Sequence, residues 1–320
     1  MTARETAAQG PSPTAEITGG YCFFKGEIMP LDNANINIST HALNYGTGCF
    51  EGIRAYWNAE QGQLYMLKAL EHFQRLIKSC RILKIECPYT AEELVEWTVK
   101  VLEKNEYQGN VYIRPMAFKA SRVIKVTLGG LRDELAIFTV PMGDYVKTED
   151  LALVVSSWQR ISDNTIPSRA KVTGAYINAA LANDAASADG YDEAIMLSAD
   201  GQLSEASSSN LFIVRDNTII TTPVTADILE GITRRAVLQV AEDLGIAYEV
   251  RAVDRTELYV ADEIFLAGTG VQIASVSSVD RRKVGSGELG SITAQLQTVY
   301  YKAVRGLDER YADWLTPVYK

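Results

Sequence analysis

Lys171 is the first residue in the sequence whose setting suggests chemistry. It lies in Ala170-Lys171-Val172-Thr173-Gly174, a small, apolar stretch just before a predicted helix. Desolvation favours the neutral amine, and a neutral lysine amine is a Schiff-base nucleophile. The same placement also suits a surface lysine at a helix start. Gly231-Ile232-Thr233 opens another helix, whose free amides and positive dipole end could hold a phosphate, although Thr233 could equally be its N-cap. Gly268-Thr269-Gly270 is a second small turn of this kind. Arg75 lies off the apolar stripe of its helix, placed either for solvation or to clamp an anion. Glu205, before Ala206-Ser-Ser-Ser-Asn210, reads as a turn carboxylate or as the partner of a buried cationic nitrogen. Tyr112 and Arg114 share one face of a strand. Facing inward, the arginine would recognise a carboxylate; facing outward, it would be surface.

Several elements must position these residues. Apolar residues Phe73, Leu76, Ile77, Cys80 and Leu83 form the stripe of a helix over 71–83. Thr90-Ala-Glu-Glu93 is a capping box that starts a second helix, which stops near Asn105. Tyr21 to Pro30 reads as a short hairpin, and His41 to Arg54 as a glycine-rich turn running into a strand. Val111–Phe118 is a strand in which Pro115 lacks a backbone donor, predicting an edge or a bulge. Leu135–Val140 and Leu151–Ser156 are strands on either side of a polar linker. Beyond a loop from Trp158 to Ala170, a helix runs over 175–188. Strands follow at Glu193–Leu197, Asn210–Val214 and Thr218–Thr221. A helix over 233–244 ends at Gly245 in the C′ position. Glu263–Ala267 is a short strand, and 291–305 is the last helix. The reading is a disordered tail at 1–20, a small α/β domain at 21–142, a linker at 143–151 and a larger domain at 152–320.

The composition is that of a globular chain: 320 residues, 47% hydrophobic and 22% charged, enough for about two domains. A formal net charge of −9 argues against nucleic acid or anionic membrane as the main partner. The four cysteines (Cys22, Cys49, Cys80 and Cys87) have no C-x-x-C pairing, and two histidines are too few for a zinc site built on His. They read as reduced thiols of a cytoplasmic protein with no metal. No apolar run reaches membrane-spanning length, and residues 1–16 lack the apolar core of a secretory signal.

Taken in order, these segments resemble the class IV (fold type IV) pyridoxal 5'-phosphate (PLP) aminotransferases, and among them the branched-chain aminotransferases. The resemblance runs from about residue 20 to 306. It rests on His41-Ala-Leu-Asn-Tyr-Gly-Thr-Gly-Cys-Phe-Glu-Gly-Ile-Arg54, Tyr112-Ile-Arg-Pro115, Ala170-Lys171 with Gly174-Ala-Tyr176, and Gly190-Tyr-Asp-Glu-Ala-Ile195. Ser204-Glu205 with Asn210-Leu-Phe212, Gly231-Ile-Thr-Arg234 and Gly268-Thr269 complete it. It implies an α+β fold like that of the D-amino-acid aminotransferases, two α/β domains with the cofactor in the cleft between them. By the same resemblance Lys171 would carry the cofactor and shuttle the proton. Glu205 would pair with the protonated ring nitrogen and Tyr176 would bond the phenolic oxygen. Arg75, the Ile232 and Thr233 amides, the Thr233 hydroxyl and Thr269 would hold the phosphate. The Gly270–Val271 turn would bind the substrate α-carboxylate. The side-chain pocket would include Phe50, Tyr112, Arg114 and Tyr145, with Tyr45 from the neighbouring subunit of at least a dimer. Small-molecule amino acids and 2-oxo acids would be the ligands, with amino transfer from L-leucine, L-isoleucine or L-valine to 2-oxoglutarate.

Two stretches depart from the branched-chain pattern. After Glu205 those enzymes commonly show a glycine-rich stretch ending Glu-Asn, whereas Ala206-Ser-Ser-Ser-Asn210 is closer to the D-amino-acid aminotransferases. After Thr269 they often have Ala-Ala-Glu, and here Gly270-Val-Gln272 stands. Rival readings are therefore a D-amino-acid or (R)-amine transaminase and a lyase of the same fold, such as aminodeoxychorismate lyase. A non-catalytic protein that keeps only the fold is the rival from another class, which intact Lys171, Glu205 and Arg75 oppose.

Overall fold

Alternating burial along Val111–Ala117, with every second side chain inside, marks a strand with a core on one face. It is one strand of the first of two sheets. The computed structural model describes residues 16–143 and 148–320, and divides into two units, 1–145 with 302–320 and 146–301. The expected tail through residue 15, Tyr145 and part of the expected linker lie outside the described residues.

The first unit begins with the hairpin β1 (Tyr21–Phe24) and β2 (Glu27–Pro30). A one-turn helix, α1 (His41–Tyr45), stands where the sequence reads as a glycine-rich turn, and Gly46 ends it with φ 64°. Strands β3 (Gly48–Phe50), β4 (Ile53–Asn58) and β5 (Gln63–Leu67) lead to α2 (Ala69–Ile82) and α3 (Ala91–Asn105). Then come β6 (Val111–Lys119) and β7 (Asp133–Pro141). The Thr90 capping box forms in both directions, with Glu93 N donating to Thr90 Oγ1 at 3.2 Å and Thr90 N to Glu93 Oε2 at 2.8 Å. α2 buries Phe73, Leu76 and Cys80, the stripe expected of it. β6 is interior, with β3 and β4 on one side and β7 on the other, so Pro115 is not on an edge. The predicted irregularity falls on the neighbouring strand: β3 ends at Phe50 and β4 starts at Ile53, with Glu51 N bonded to Pro115 O at 2.9 Å across the gap.

The second unit contains β8 (Leu151–Val155), α4 (Tyr176–Ala188), β9 (Glu193–Leu197), β10 (Leu203–Ala206), β11 (Asn210–Arg215) and β12 (Thr218–Thr221). It continues with α5 (Ile232–Asp243), β13 (Tyr248–Val250), β14 (Glu263–Gly268), β15 (Gln272–Val279), β16 (Arg282–Lys283) and α6 (Ser291–Ala303). Its sheet runs β10-β9-β8-β15-β14-β11-β12-β13, with β16 on β15. The core of this unit is aliphatic, built from Leu153, Ile195, Leu211, Ile213, Leu266, Ala274 and Val276 among others. α4 packs the small residues Ala182 and Ala186 on Ala194 and Met196. α6 starts on the Glu263 carboxylate, which accepts from Ile292 N at 2.9 Å and Thr293 N at 2.8 Å.

Residues from 302 onward depart from the expected division, which gives 152–320 to one domain. Here β17 (Leu315–Pro317) pairs with β5, and the Gln63 side chain bonds the Tyr319 backbone. Those backbone bonds make the tail part of the first unit. Among the described residues no helix is long and apolar enough to cross a membrane.

Candidate active site

The loop after β8 delivers Lys171, and a short 3-10 turn, Thr173–Ala175, feeds α4, whose first residue is Tyr176. This turn folds the two side chains together, with Lys171 Nζ 2.5 Å from the Tyr176 hydroxyl. They line a pocket with Arg160, Glu205, Ser207, Ser208 and Leu229. Glu205 is buried in β10. Its Oε1 accepts from Arg160 Nη2 at 2.8 Å and from Leu229 N at 3.1 Å, and its Oε2 from Asn210 Nδ2 at 2.8 Å. The turn-carboxylate reading therefore gives way to that of a buried acceptor on a pocket wall.

Asn210 links this carboxylate to the start of α5. Its Nδ2 also donates to Leu229 O at 3.0 Å, and a Cβ on Gly231 would overlap its Oδ1. Gly231 is thus required by close approach. It is also the N-cap of α5, with no side-chain cap bond, and Ile232 and Thr233 are the first two helical residues. This corrects the reading of Thr233 as the cap. The Gly268–Gln272 turn joins β14 to β15 and presents Thr269 and Gly270, with Ser209 packed beneath Gly268. Val271 is buried in the aliphatic core, so this turn can offer a ligand only its backbone there.

In the first unit, Phe50, Tyr112 and Arg114 come together. The Arg114 Nη2 donates to the Tyr112 hydroxyl at 2.9 Å, and the guanidinium lies 4.5 Å from the Phe50 ring centroid. A Cβ on Gly52 would overlap that hydroxyl, so glycine is needed for this cluster to close. Tyr45, on α1, is exposed and its ring is 4.6 Å from that of His41. Arg75 is not solvated: its Nε and Nη2 hold both oxygens of Glu51 at 2.7 and 2.8 Å, and His72 Nδ1 bonds Glu51 Oε2 at 2.8 Å. Burial pushes the Glu51 carboxyl up, but the Arg75 charge and the hydrogen bonds from Arg75 and His72 outweigh it and hold the group well below the usual range. Such a group adds stability above the unfolded glutamate pKa and loses it as pH falls through the folded one. Glu51→Gln is therefore expected to cost about 3 kcal/mol at neutral pH. It should also weaken the acid dependence of urea unfolding; parallel wild-type and variant profiles against pH would contradict this.

Arg160, Asn210, Glu51 and His72 are residues of these clusters that the sequence reading misses. His72 and Arg75 stand three apart on one helix, a spacing that could have pointed to a shared acceptor. Arg160 lies in an aperiodic loop and gives no signal. The four cysteines are free, and Cys49 and Cys80 lie with sulfurs 3.7 Å apart in the core.

The donor set can be tested against PLP. A buried carboxylate suits a ring N–H, and a lysine with a phenol beside it suits an aldehyde and phenolic oxygen. An uncapped helix start crowded against Gly231 suits a phosphate. All three stand in one unit: Lys171, Tyr176 and Glu205 line one pocket, and Asn210 ties Glu205 to the α5 start, so the residues fit the cofactor.

Comparison with known proteins agrees with this geometry. The family model of amino-transferase class IV matches residues 48–279. A probable branched-chain-amino-acid aminotransferase of Aquifex aeolicus is 48% identical over 93% of this chain and 97% of its own length. The crystal structure of the branched-chain aminotransferase of Thermoproteus uzoniensis with norvaline superposes with a TM-score of 0.91 at 40% identity, covering 94% of this chain and all of the other. The branched-chain amino acid aminotransferase of Thermobaculum terrenum, in its PLP form, gives a TM-score of 0.91 at 36% identity over 95% of this chain and 99% of that one. The chain belongs to the class IV aminotransferases, and within them to the branched-chain-amino-acid aminotransferases. PLP is the cofactor of this family.

Proposed function

We propose that this chain catalyses reversible amino transfer from L-leucine, L-isoleucine or L-valine to 2-oxoglutarate, giving the branched-chain 2-oxo acid and L-glutamate. The observation that carries the substrate reading is the Arg114 cluster. One pocket must accept an aliphatic side chain and, in the other half-reaction, the γ-carboxylate of glutamate. The Phe50 and Tyr112 rings offer faces to the first, and Arg114, oriented by the Tyr112 hydroxyl, offers a cation to the second. Tyr45 of the neighbouring subunit would complete this pocket, in at least a dimer in the cytoplasm.

Bound PLP supplies a carbonyl that takes the amino group and a ring that accepts the electron pair released at the substrate α-carbon. The side chains do the rest. Lys171 would hold the cofactor, and its amine would move the α-carbon proton. Tyr176 fixes the direction of the Lys171 amine. Glu205 would accept from the ring N–H and keep it in place. The Ile232 and Thr233 amides, the Thr233 hydroxyl and Thr269 would hold the phosphate, and the Gly270–Val271 turn would hold the substrate α-carboxylate.

Arg114→Ala tests the dual-substrate logic. Loss of a charge-assisted bond should weaken kcat/KM for glutamate and 2-oxoglutarate by about 10- to 100-fold. For leucine a change of about threefold or less is expected, since burial of apolar surface is unaffected. Equal losses on both would make Arg114 structural. A D-amino-acid or (R)-amine transaminase is the second reading, favoured by Ser207 and Ser208 on the pocket wall.

A further inference from the structure

We infer that Arg160 is a positioning residue for the cofactor ring, acting through Glu205. The inference rests on the reading of Glu205 as the ring-nitrogen partner. Arg160 is held at three points: its backbone N bonds Leu197 O at 2.8 Å, its Nε bonds Asp227 O at 3.2 Å, and its Nη2 reaches Glu205 Oε1 at 2.8 Å. Leu229 N and Asn210 Nδ2 approach the same carboxylate from two other segments. These contacts fix the plane of the carboxylate.

Two costs make the arginine more than a neighbour. A buried carboxylate is expensive to keep charged without a cation beside it. Arg160 places that cation 2.8 Å from Glu205 Oε1. A carboxylate held only by amides could also turn about its last torsion, and a ring N–H needs one oxygen at one angle. The guanidinium is a planar donor whose own Nε is anchored to Asp227 O, so it restrains that turn where a lysine would not. Arg160 lines the same pocket as Lys171 and Glu205. Its loop runs on to Lys171, so one segment sets the carboxylate that receives the ring nitrogen and the amine that carries the cofactor.

The test compares PLP with a carbocyclic analogue in which CH replaces the ring nitrogen. Dissociation constants are measured on the apo forms of the full-length wild type and of Arg160→Met. If Arg160 acts through the ring nitrogen, Arg160→Met weakens PLP binding about tenfold and leaves the analogue within about twofold. Arg160→Lys recovers only part of the PLP loss, because it restores the charge without the planar donor. In a Glu205→Gln background, Arg160→Met adds little further loss for PLP. Equal weakening of PLP and analogue by Arg160→Met overturns the inference and makes Arg160 a fold-supporting residue. Wild type that binds PLP no better than the analogue overturns the Glu205 reading itself, and this inference with it. If Arg160→Met does not fold, Arg160→Gln, which keeps a neutral donor, is put through the same comparison with the same expected and overturning results.

Discussion

Lys171→Ala is expected to abolish turnover, with kcat falling by about 10⁴-fold or more, because proton transfer by a positioned base and covalent attachment are both lost. The residue's setting explains why no neighbour replaces it. Among the residues lining the pocket, the other cationic side chain is Arg160, which is tied to Glu205 and cannot act as a base at neutral pH. Tyr176 stands 2.5 Å from the lysine nitrogen and loses that contact in the variant. The purified variant should still bind PLP through the phosphate and ring contacts. Its cofactor should dialyse away, and it should lack the absorbance of a lysine-bound cofactor. Repeated turnover of L-leucine with 2-oxoglutarate by this variant would sink the assignment.

Gly231→Ala is expected to have the second largest effect. The added methyl would overlap Asn210 Oδ1 and meet Arg234 Cβ at 3.0 Å. Neither can move at little cost. Arg234 is buried, with its Nη2 on Thr222 O at 3.0 Å, and Asn210 holds both Glu205 and the Leu229 carbonyl. Overpacking of this kind costs about 1–3 kcal/mol of stability. The larger consequence is functional, because the start of α5 shifts and Asn210 lets go of Glu205. PLP affinity should fall by about 100-fold, while thermal unfolding still shows one cooperative transition. A variant of unchanged PLP affinity would show that this close approach does not shape the site.

Sequence legibility divides along a physical line. Helices α2 and α3 are readable because their signals are local: a stripe at helical spacing and a capping box that forms as written. The Tyr112 and Arg114 pairing on one face follows from strand periodicity alone. What stays hidden depends on contacts between distant segments. The return of β17 to β5 is set by backbone pairing between residues 315–317 and 65–67, which leaves no periodic trace. Pro115 predicts a defect correctly in kind, but the interruption lies in the partner strand. Arg160 and Glu205 are distant in sequence and meet only once the sheet is built. Thr233 can be placed near a helix start, but only the backbone shows Gly231 as the cap. The residues of strongest chemical character, Lys171 and Glu205, are legible as candidates and become a site only when Tyr176 and Asn210 stand beside them.

The central claim, a transaminase for branched-chain L-amino acids, is tested most directly by a single half-reaction. PLP-loaded enzyme is mixed separately with L-leucine, D-alanine and (R)-phenylethylamine, without 2-oxo acid, and the loss of cofactor absorbance is followed in time. The account predicts that L-leucine discharges the absorbance fastest and that added 2-oxoglutarate restores it. Faster reaction with D-alanine or the (R)-amine would contradict it, and would show that Ser207, Ser208 and the Gly270–Gln272 turn have reshaped the pocket for the opposite stereochemistry.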